Sequence, residues 1–417
     1  MKAKLPVTKK ILYLIIYYLL YGSLISRYLW PNTFITLVPD ILLLILILFF
    51  KVPKKKNIIR CIGFGVVLSI ALFLSEGVIS SLINYMPPLS VLWGVRMFLR
   101  YYLLLYYVYH IFDSTDISNC RRIFNRSMFW CFIFCFIQLM QGDIGDIMGG
   151  ITSGNGELSI YIVICMIYLS SDYFRGILKL RKFILFTLLF YFCSMWAEIK
   201  LLYFIIPFII YATYALQKKI KITHLAIFLV SAFFLVPTLK FLLSFYYGEQ
   251  YVKEVFDEES VRKYTSESSY GFTDLSFNRD TAIPQAQLIY LKDDPVRNSV
   301  GYGIGSASVS NSFGTWIKNT ADETFYYYFA SSYVLIETGW IGLVLFLLIY
   351  VTILLRFFFI YIRSGDAVTK YWSAQGLLLA LMTFIFFWYN SFPYTNWYLP
   401  FLVWGFCFVM INNSPRK

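Results

Sequence analysis

The sequence predicts an all-α, polytopic membrane protein of about twelve transmembrane helices with one large extracytoplasmic loop and both termini cytoplasmic. Three observations predict it. Of 417 residues, 59% are hydrophobic and 14% are charged, against roughly 25% charged in a soluble domain. The apolar residues come in long runs rather than at amphipathic spacing. Basic residues gather in every second connection between those runs, which is the mark of sidedness.

A span needs about 20 apolar residues. Such runs stand at residues 11–30, 34–50, 59–82, 88–112, 127–141, 157–171, 183–198, 200–216, 224–246, 333–356, 371–391 and 397–413. The stretch 183–216 also fits one long re-entrant or tilted element. The chain thus divides into helices one to nine over 1–246, a hydrophilic loop over 247–332, and helices ten to twelve over 333–417. Aromatics make up 21% of the residues, suited to lipid interfaces or to lining pockets.

The net charge of +13 resolves into topology rather than a nucleic-acid surface. Positive segments resist translocation. One set of connections holds Lys2, Lys4, Lys9 and Lys10; Lys51, Lys54, Lys55, Lys56 and Arg60; and Arg121, Arg122 and Arg126. It continues with Arg175, Lys179, Arg181 and Lys182; Lys218, Lys219 and Lys221; Arg363 and Lys370; and Arg416 and Lys417. The alternate short connections hold only Arg27. No typical signal peptide is present, and the first helix is expected to serve as an uncleaved anchor. The seven cysteines (61, 120, 131, 135, 165, 193 and 407) fall in helices or cytoplasmic turns. They suggest neither a disulfide framework nor a CxxC metal site.

The segment 247–332 holds twelve acidic and seven basic residues, a net of −5. A loop of this length on a compact body is functional or disordered, and its interleaved aromatics and prolines favour an ordered, functional one. Residues Glu249 to Lys263 read as a short amphipathic helix, and a glycine cluster follows at Gly301, Gly303 and Gly305.

Charges inside apolar runs are costly and normally face a bundle interior or a wet cavity. Here they are Asp40, Glu76, Arg96, Arg100, Glu198, Lys200 and Lys240, all but Arg100 toward the outer end and Arg100 near the middle. Arg356 lies close enough to the inner end to snorkel. Arg96 enters about 12 Å deep, with Arg100 one turn further on the same helix face. Two like charges there need carboxylates or an anion between them. One reading is an internal salt-bridge set with Asp40, Glu76 and Glu198. The other is a cationic seat for an anionic ligand, for which the bidentate fork of arginine suits phosphate. The convergence of two arginines, a lysine and the long loop on one side favours the seat.

An outward cationic cavity among lipid-accessible helices suits a lipid-linked phosphate or diphosphate. The chain has no GxxxxGK[ST] loop, and its cytoplasmic connections are too short for a nucleotide domain. The two histidines, His110 and His224, lie near cytoplasmic helix ends and read as interfacial residues rather than ligands. No metal or cofactor is expected.

Several segments taken in order resemble a known family. They are Ser153-Gly-Asn-Gly-Glu157-Leu, Ala197-Glu-Ile-Lys200, Ser276-Phe-Asn-Arg279-Asp, Asp294 through Gly305 with its Gly-Tyr-Gly-Ile-Gly turn, and Tyr333-Val-Leu-Ile-Glu337-Thr-Gly-Trp-Ile-Gly342. This layout resembles the superfamily of O-antigen polymerases and O-antigen ligases, bacterial membrane glycosyltransferases acting on undecaprenyl-diphosphate-linked glycans. The resemblance covers roughly 150–345, and its order and spacing count for more than any single motif. Ligases of that superfamily usually carry a His-Asn pair late in the outer loop. Here that region reads Glu323-Thr-Phe-Tyr-Tyr-Tyr-Phe, which shifts the expectation toward a polymerase.

The resemblance implies a bacterial inner-membrane enzyme whose large loop is periplasmic. It would polymerise undecaprenyl-diphosphate-linked oligosaccharide repeat units of O-antigen or capsule type, with membrane lipids and a chain-length regulator as partners. An acceptor hydroxyl would attack the donor's anomeric carbon, and polyprenyl diphosphate would leave against fixed cations. Arg96, Arg100, Lys200 and Arg279 are the candidates for that role. Glu323, Asp322 or Glu337 would supply the base, unless Glu337 anchors its helix start. Gly301, Gly303 and Gly305 either shape backbone around a sugar or phosphate or make a plain turn. Ligase-type transfer to another acceptor and a lipid-linked oligosaccharide flippase remain the alternatives. Transporters often show internal repeats and midplane charges, whereas here no repeat is visible and the charges lie outward. A scaffold without chemistry would leave the buried arginines unexplained.

Overall fold

The computed structural model describes residues 6–30, 33–50, 59, 62–218, 236–266, 277–292, 294–308, 317 and 324–413. The candidates Asp322, Glu323 and His224, and the first half of the expected ninth span, lie outside the described residues. Among the described residues every regular element is a helix, and none is a strand.

The elements are α1 (Val7–Leu24, continued by a π turn over Ile25–Leu29), α2 (Val38–Phe49), α3 (Phe64–Ile83), α4 (Pro88–Ile111) and α5 (Ser114–Met140). After them come α6 (Asn155–Phe174), α7 (Leu180–Trp196) and α8 (Leu202–Gln217). Short helices follow: α9 (Glu249–Phe256), α10 (Glu258–Ser266), α11 (Ala282–Ala286) and α12 (Pro295–Val300). The chain closes with α13 (Ala330–Arg363), α14 (Ala367–Tyr389), α15 (Phe392–Thr395) and α16 (Tyr398–Asn413). Residues 236–247 are also helical.

Six helices are long and apolar enough to cross a membrane: Val7–Leu29, α3, α5, α6, α13 and α14. Three shorter ones, at Ile35–Phe49, α8 and α16, are equally apolar in character. The arginines of α4 lower its mean apolarity, although it runs for 24 residues.

The structure refines several expected boundaries. Helix α5 begins at Ser114 rather than 127, because Asp113 caps it. The Asp113 carboxylate accepts from Thr115 N (2.9 Å) and Asp116 N (3.0 Å), and Asp113 N donates back to Asp116 (3.0 Å). This reciprocal cap satisfies first-turn amides that the polar sequence would otherwise leave open. The stretch 183–216 is two helices, α7 and α8, hinged at Ala197–Leu201 with Glu198 at φ +52°. The amphipathic run at 249–263 is also two helices, since Asp257 breaks the first and caps the second by accepting from Ser260 N at 3.1 Å. Helix α13 is interrupted at Gly339, φ +60° and ψ −166°.

The interior is formed by α6 and α16, whose side chains are buried on nearly every face, as expected for helices apolar all round. Helix α16 packs on α4 and α14, α6 on α8, and α13 on α3 and α14. Polar contacts sort the connections into two opposite ends of the bundle. At one end Lys9 pairs with Asp113 (2.7 Å) and Asp116 (2.5 Å), and Arg121 with Asp172 (2.5 Å). The other end gathers the starts of α2, α4, α6, α13 and α16, the close of α3, and the segments at 277–308 and 324–329.

Candidate functional site

The second end is organised by a short polar stretch between two apolar helices, Asn390-Ser-Phe-Pro-Tyr-Thr-Asn396, which includes α15. Helix α14 stops at Tyr389 and α16 starts at Tyr398, so this stretch crosses the bundle end with its backbone carbonyls available. Arg100 Nη2 donates to the Thr395 carbonyl, Tyr101 OH to the Tyr394 carbonyl (3.2 Å) and Tyr350 OH to the Pro393 carbonyl (3.0 Å).

Arg96 and Arg100 share one helix face, as their spacing requires, and a single carboxylate stands between them. Arg96 Nη2 pairs with Asp40 Oδ2, and Arg100 Nη1 lies 3.3 Å from the same oxygen. Tyr398 OH donates to Asp40 Oδ1. Arg100 also donates to Tyr101 OH (2.8 Å) and the Met97 carbonyl (3.2 Å), with its guanidinium 4.9 Å from the Tyr101 ring and 5.1 Å from that of Tyr398. Arg96 lies 4.1 Å over the Trp93 ring, and its buried Nη1 has no hydrogen-bond partner among the described residues. Among the described residues two arginines therefore share one carboxylate, and Arg96 is the more exposed of the two.

Of the salt-bridge set expected from the sequence, Asp40 alone bridges the arginines among the described residues. The Glu76 carboxylate lies over Gly342 of α13, 2.7 Å from where a Cβ on that glycine would stand, and both its oxygens are buried. Glu198 sits against Gly145.

Glu337 is 1% exposed and both its oxygens are engaged. Oε1 accepts from Ala307 N at 3.1 Å, and Oε2 accepts from Tyr394 OH. The carboxylate thus ties the glycine segment to the α14–α16 crossing. The glycines of that segment are packed rather than open. Residues 301–308 are all buried, and Gly301, Gly303 and Gly305 all have positive φ. Their N–H groups and neighbours pair with helix backbone: Tyr302 N with the Ile336 carbonyl (3.0 Å), Gly303 N with Glu337 (2.7 Å) and Ile304 N with Gly77 (3.3 Å). A Cβ on Gly301 would meet Glu337 backbone at 2.5 Å, one on Gly303 would meet Ser81 at 2.5 Å, and one on Gly305 would strike the Ser90 carbonyl. The hairpin is a plug between α3, α4 and α13 that only glycine fits.

Arg279 is 8% exposed, with its guanidinium 4.7 Å over the Tyr389 ring. Its backbone N–H is held by Asn278 Oδ1 at 2.7 Å. Lys200 lies beyond the α7 hinge, Nζ 5.0 Å from the Tyr251 ring, and Lys240 is 5.2 Å from that of Phe256. Of the four candidate cations, Arg96 and Arg100 are brought together on Asp40, Arg279 rests on Tyr389 and Lys200 on Tyr251. Nearby, burial pushes the Tyr302 phenol above its ordinary value, against the opposing pull of Arg297.

Sequence reasoning missed Tyr101, Tyr394, Tyr398 and Asn396. Nothing distinguishes three tyrosines among 35. The usable signal was the polar, proline-containing interruption at 390–396 between two apolar runs. Asn396 Nδ2 donates to Glu157 Oε1, whose other oxygen accepts from Ser153 N at 3.0 Å. That pairing gives the Gly/Asn-rich segment before α6 its place in the site. Among the described residues no group of His, Cys, Asp and Glu is arranged to hold a metal ion. Comparison with known proteins finds no matching family model and no significant match to a curated protein or a solved structure.

Proposed function

We propose that this chain is a bacterial inner-membrane glycosyltransferase that polymerises undecaprenyl-diphosphate-linked oligosaccharide repeat units on the outer face. In this reading it crosses the membrane about twelve times, with both termini cytoplasmic and the 247–332 segment periplasmic. One observation carries the proposal. Two arginines on one helix face share a single carboxylate at the bundle end that also holds Arg279.

In the proposed reaction an acceptor hydroxyl oxygen attacks the donor's anomeric carbon. The bond from that carbon to the diphosphate oxygen breaks, and undecaprenyl diphosphate leaves with the electron pair. Fixed cations that meet the developing charge lower the barrier without reorganising at the moment of reaction. Arg96, Arg100, Arg279 and Lys200 are assigned that task. The hydroxyl proton passes to a carboxylate. Glu323 is the carboxylate assigned, while the hydrogen bonds accepted by Glu337 give it a structural task. Glu337 is a positioning residue for the hairpin.

The test is reconstitution of the purified protein in vesicles with a lipid-linked repeat unit. Glycans longer than one repeat with wild type, and their loss with Arg279→Ala, are the expected result. Movement of the lipid across the bilayer without glycan growth would favour a flippase and defeat the proposal.

A further inference from the structure

The buried hairpin leaves no open glycine backbone for a sugar, so sugar recognition has to come from other surfaces at this end. Three segments remote in sequence are cross-linked there. Phe277 N donates to the Thr324 carbonyl (2.9 Å), Ala330 N to the Asn390 carbonyl (3.1 Å) and Trp388 Nε1 to Asp280 Oδ1 (3.2 Å). Their junction carries four aromatic rings open to different degrees. Phe325 and Tyr327 are half-buried, Tyr328 is 45% exposed and Trp388 is 39% exposed.

The ring arrangement is held by unusual backbone. Phe325 adopts φ +56°, a left-handed conformation that a bulky residue rarely takes. With that turn, the Phe325 ring stacks on Tyr328, centroids 5.7 Å apart and planes 14° apart. Tyr328 in turn lies 4.7 Å from Tyr327. Beneath them Tyr326 is fully buried and donates to the Ala307 carbonyl at 2.7 Å, fixing the base of the stack to the hairpin.

Aromatic rings near a membrane surface commonly sit among lipid headgroups. Two features here point to a polyhydroxylated ligand. The Trp388 indole is oriented by a carboxylate of the protein, and that carboxylate, Asp280, is exposed. A pyranose presents an apolar C–H face to a ring and a rim of hydroxyls to an acceptor-only carboxylate. Position agrees as well. In a sugar diphosphate the anomeric carbon is bonded directly to the phosphate oxygen, so the sugar lies one ring away from the cations. Asp280 directly follows Arg279, and Trp388 directly precedes Tyr389, on which the Arg279 guanidinium rests.

We infer that Phe325, Tyr327, Tyr328 and Trp388, together with Asp280, form a pyranose-binding platform for the sugar joined to the diphosphate. The assignment rests on the glycosyl-transfer reading of the arginines. It is tested separately with a phosphate-free probe: the repeat-unit oligosaccharide released by mild acid from the lipid-linked pool of the producing cell and left underivatised, so that its reducing-end sugar, the one formerly joined to the diphosphate, keeps its closed ring, with binding read by titration calorimetry. Binding is measured to the full-length protein in nanodiscs.

Wild type is expected to bind the probe, with inorganic pyrophosphate failing to displace it. Trp388→Ala and Tyr328→Ala are each expected to weaken binding about 2- to 10-fold, while Trp388→Phe retains most of it. Should Trp388→Ala fail to fold, Asp280→Asn keeps every ring and removes the carboxylate, and weaker binding is again expected. No binding by wild type, or unchanged binding by Tyr328→Ala and Asp280→Asn, overturns the platform. If wild type binds the probe but never lengthens a lipid-linked glycan, the glycosyl-transfer reading fails and the platform stands. If wild type lengthens glycans and the ring variants do so with unaltered KM, the platform alone fails.

Discussion

Replacing Asp40 by asparagine tests the charge that separates the two arginines. The substitution keeps Oδ1 as acceptor for Tyr398 OH, removes the negative charge and turns Oδ2, on which both arginines converge, into an amide donor. At 3.3 Å, the attraction between Arg100 and Asp40 comes to about 5 kcal/mol at an effective dielectric near 20. Part of that is recovered as the guanidinium regains hydration, and breaking a buried pair in this way costs about 3–5 kcal/mol. Arg96 contributes less, because its side chain is 27% exposed and better screened. With an unfolding entropy of about 2.1 cal/mol/K per residue over 417 residues, about 4 kcal/mol lowers the melting temperature by about 5 °C. The assay is thermal unfolding in nanodiscs followed by a thiol-reactive dye, which reads exposure of the buried cysteines. A second arm adds inorganic pyrophosphate, which should stabilise Asp40→Asn more than wild type because the competing carboxylate charge is gone. At about ten times its Kd, the anion returns about 1.4 kcal/mol, or about 2 °C. An Asp40→Asn protein that melts at the wild-type temperature refutes the compensation argument. One that melts lower but ignores pyrophosphate refutes the anion seat.

Other substitutions probe the hairpin and the crossing. Glu337→Ala leaves Ala307 N–H and Tyr394 OH without their acceptor, a loss of about 2–6 kcal/mol at about 1–3 for each orphaned group; faster protease cleavage within 277–329 is the readout, with Glu337→Gln milder. Gly305→Ala forces a side chain into φ +88° and against the Ser90 carbonyl, so folded yield in detergent should collapse. Gly142→Ala, also at φ +88° but with nothing within 4 Å, should cost only the left-handed strain of about 1–2 kcal/mol. Asn396→Ala deprives the half-buried Glu157 of one of its donors and should destabilise by about 1.5–3 kcal/mol in the same melting assay.

Much of the scaffold was legible because membrane helices satisfy their own backbone, so long apolar runs have few alternatives. A helix stands at each expected run that the structure describes, and errors fall where polar residues extend a helix, as at the Asp113 cap of α5. The arginine pair was legible too, because i, i+4 spacing fixes a shared face whatever the fold. Its partner was not. Asp40, Glu76 and Glu198 are equivalent as sequence, and helix packing alone brings Asp40 between the guanidinium groups.

The hairpin shows the same division. Three glycines at alternate positions announced special backbone, but nothing local separates a phosphate cradle from a close helix contact. The nearness of Ser81, Ser90 and Glu337 decides it. Glu337 gained a structural task for a like reason: Ala307 N–H and Tyr394 OH, 30 and 57 residues away in sequence, both donate to it. By itself the sequence determined the helices, the alternation of basic connections and the common face of Arg96 and Arg100, because hydrophobic burial and helical periodicity act over short separations. Only the tertiary structure decided which carboxylate holds those arginines, that the glycines plug the bundle and that residues 390–396 join the parts, because pairings between distant segments are set by packing of the whole bundle.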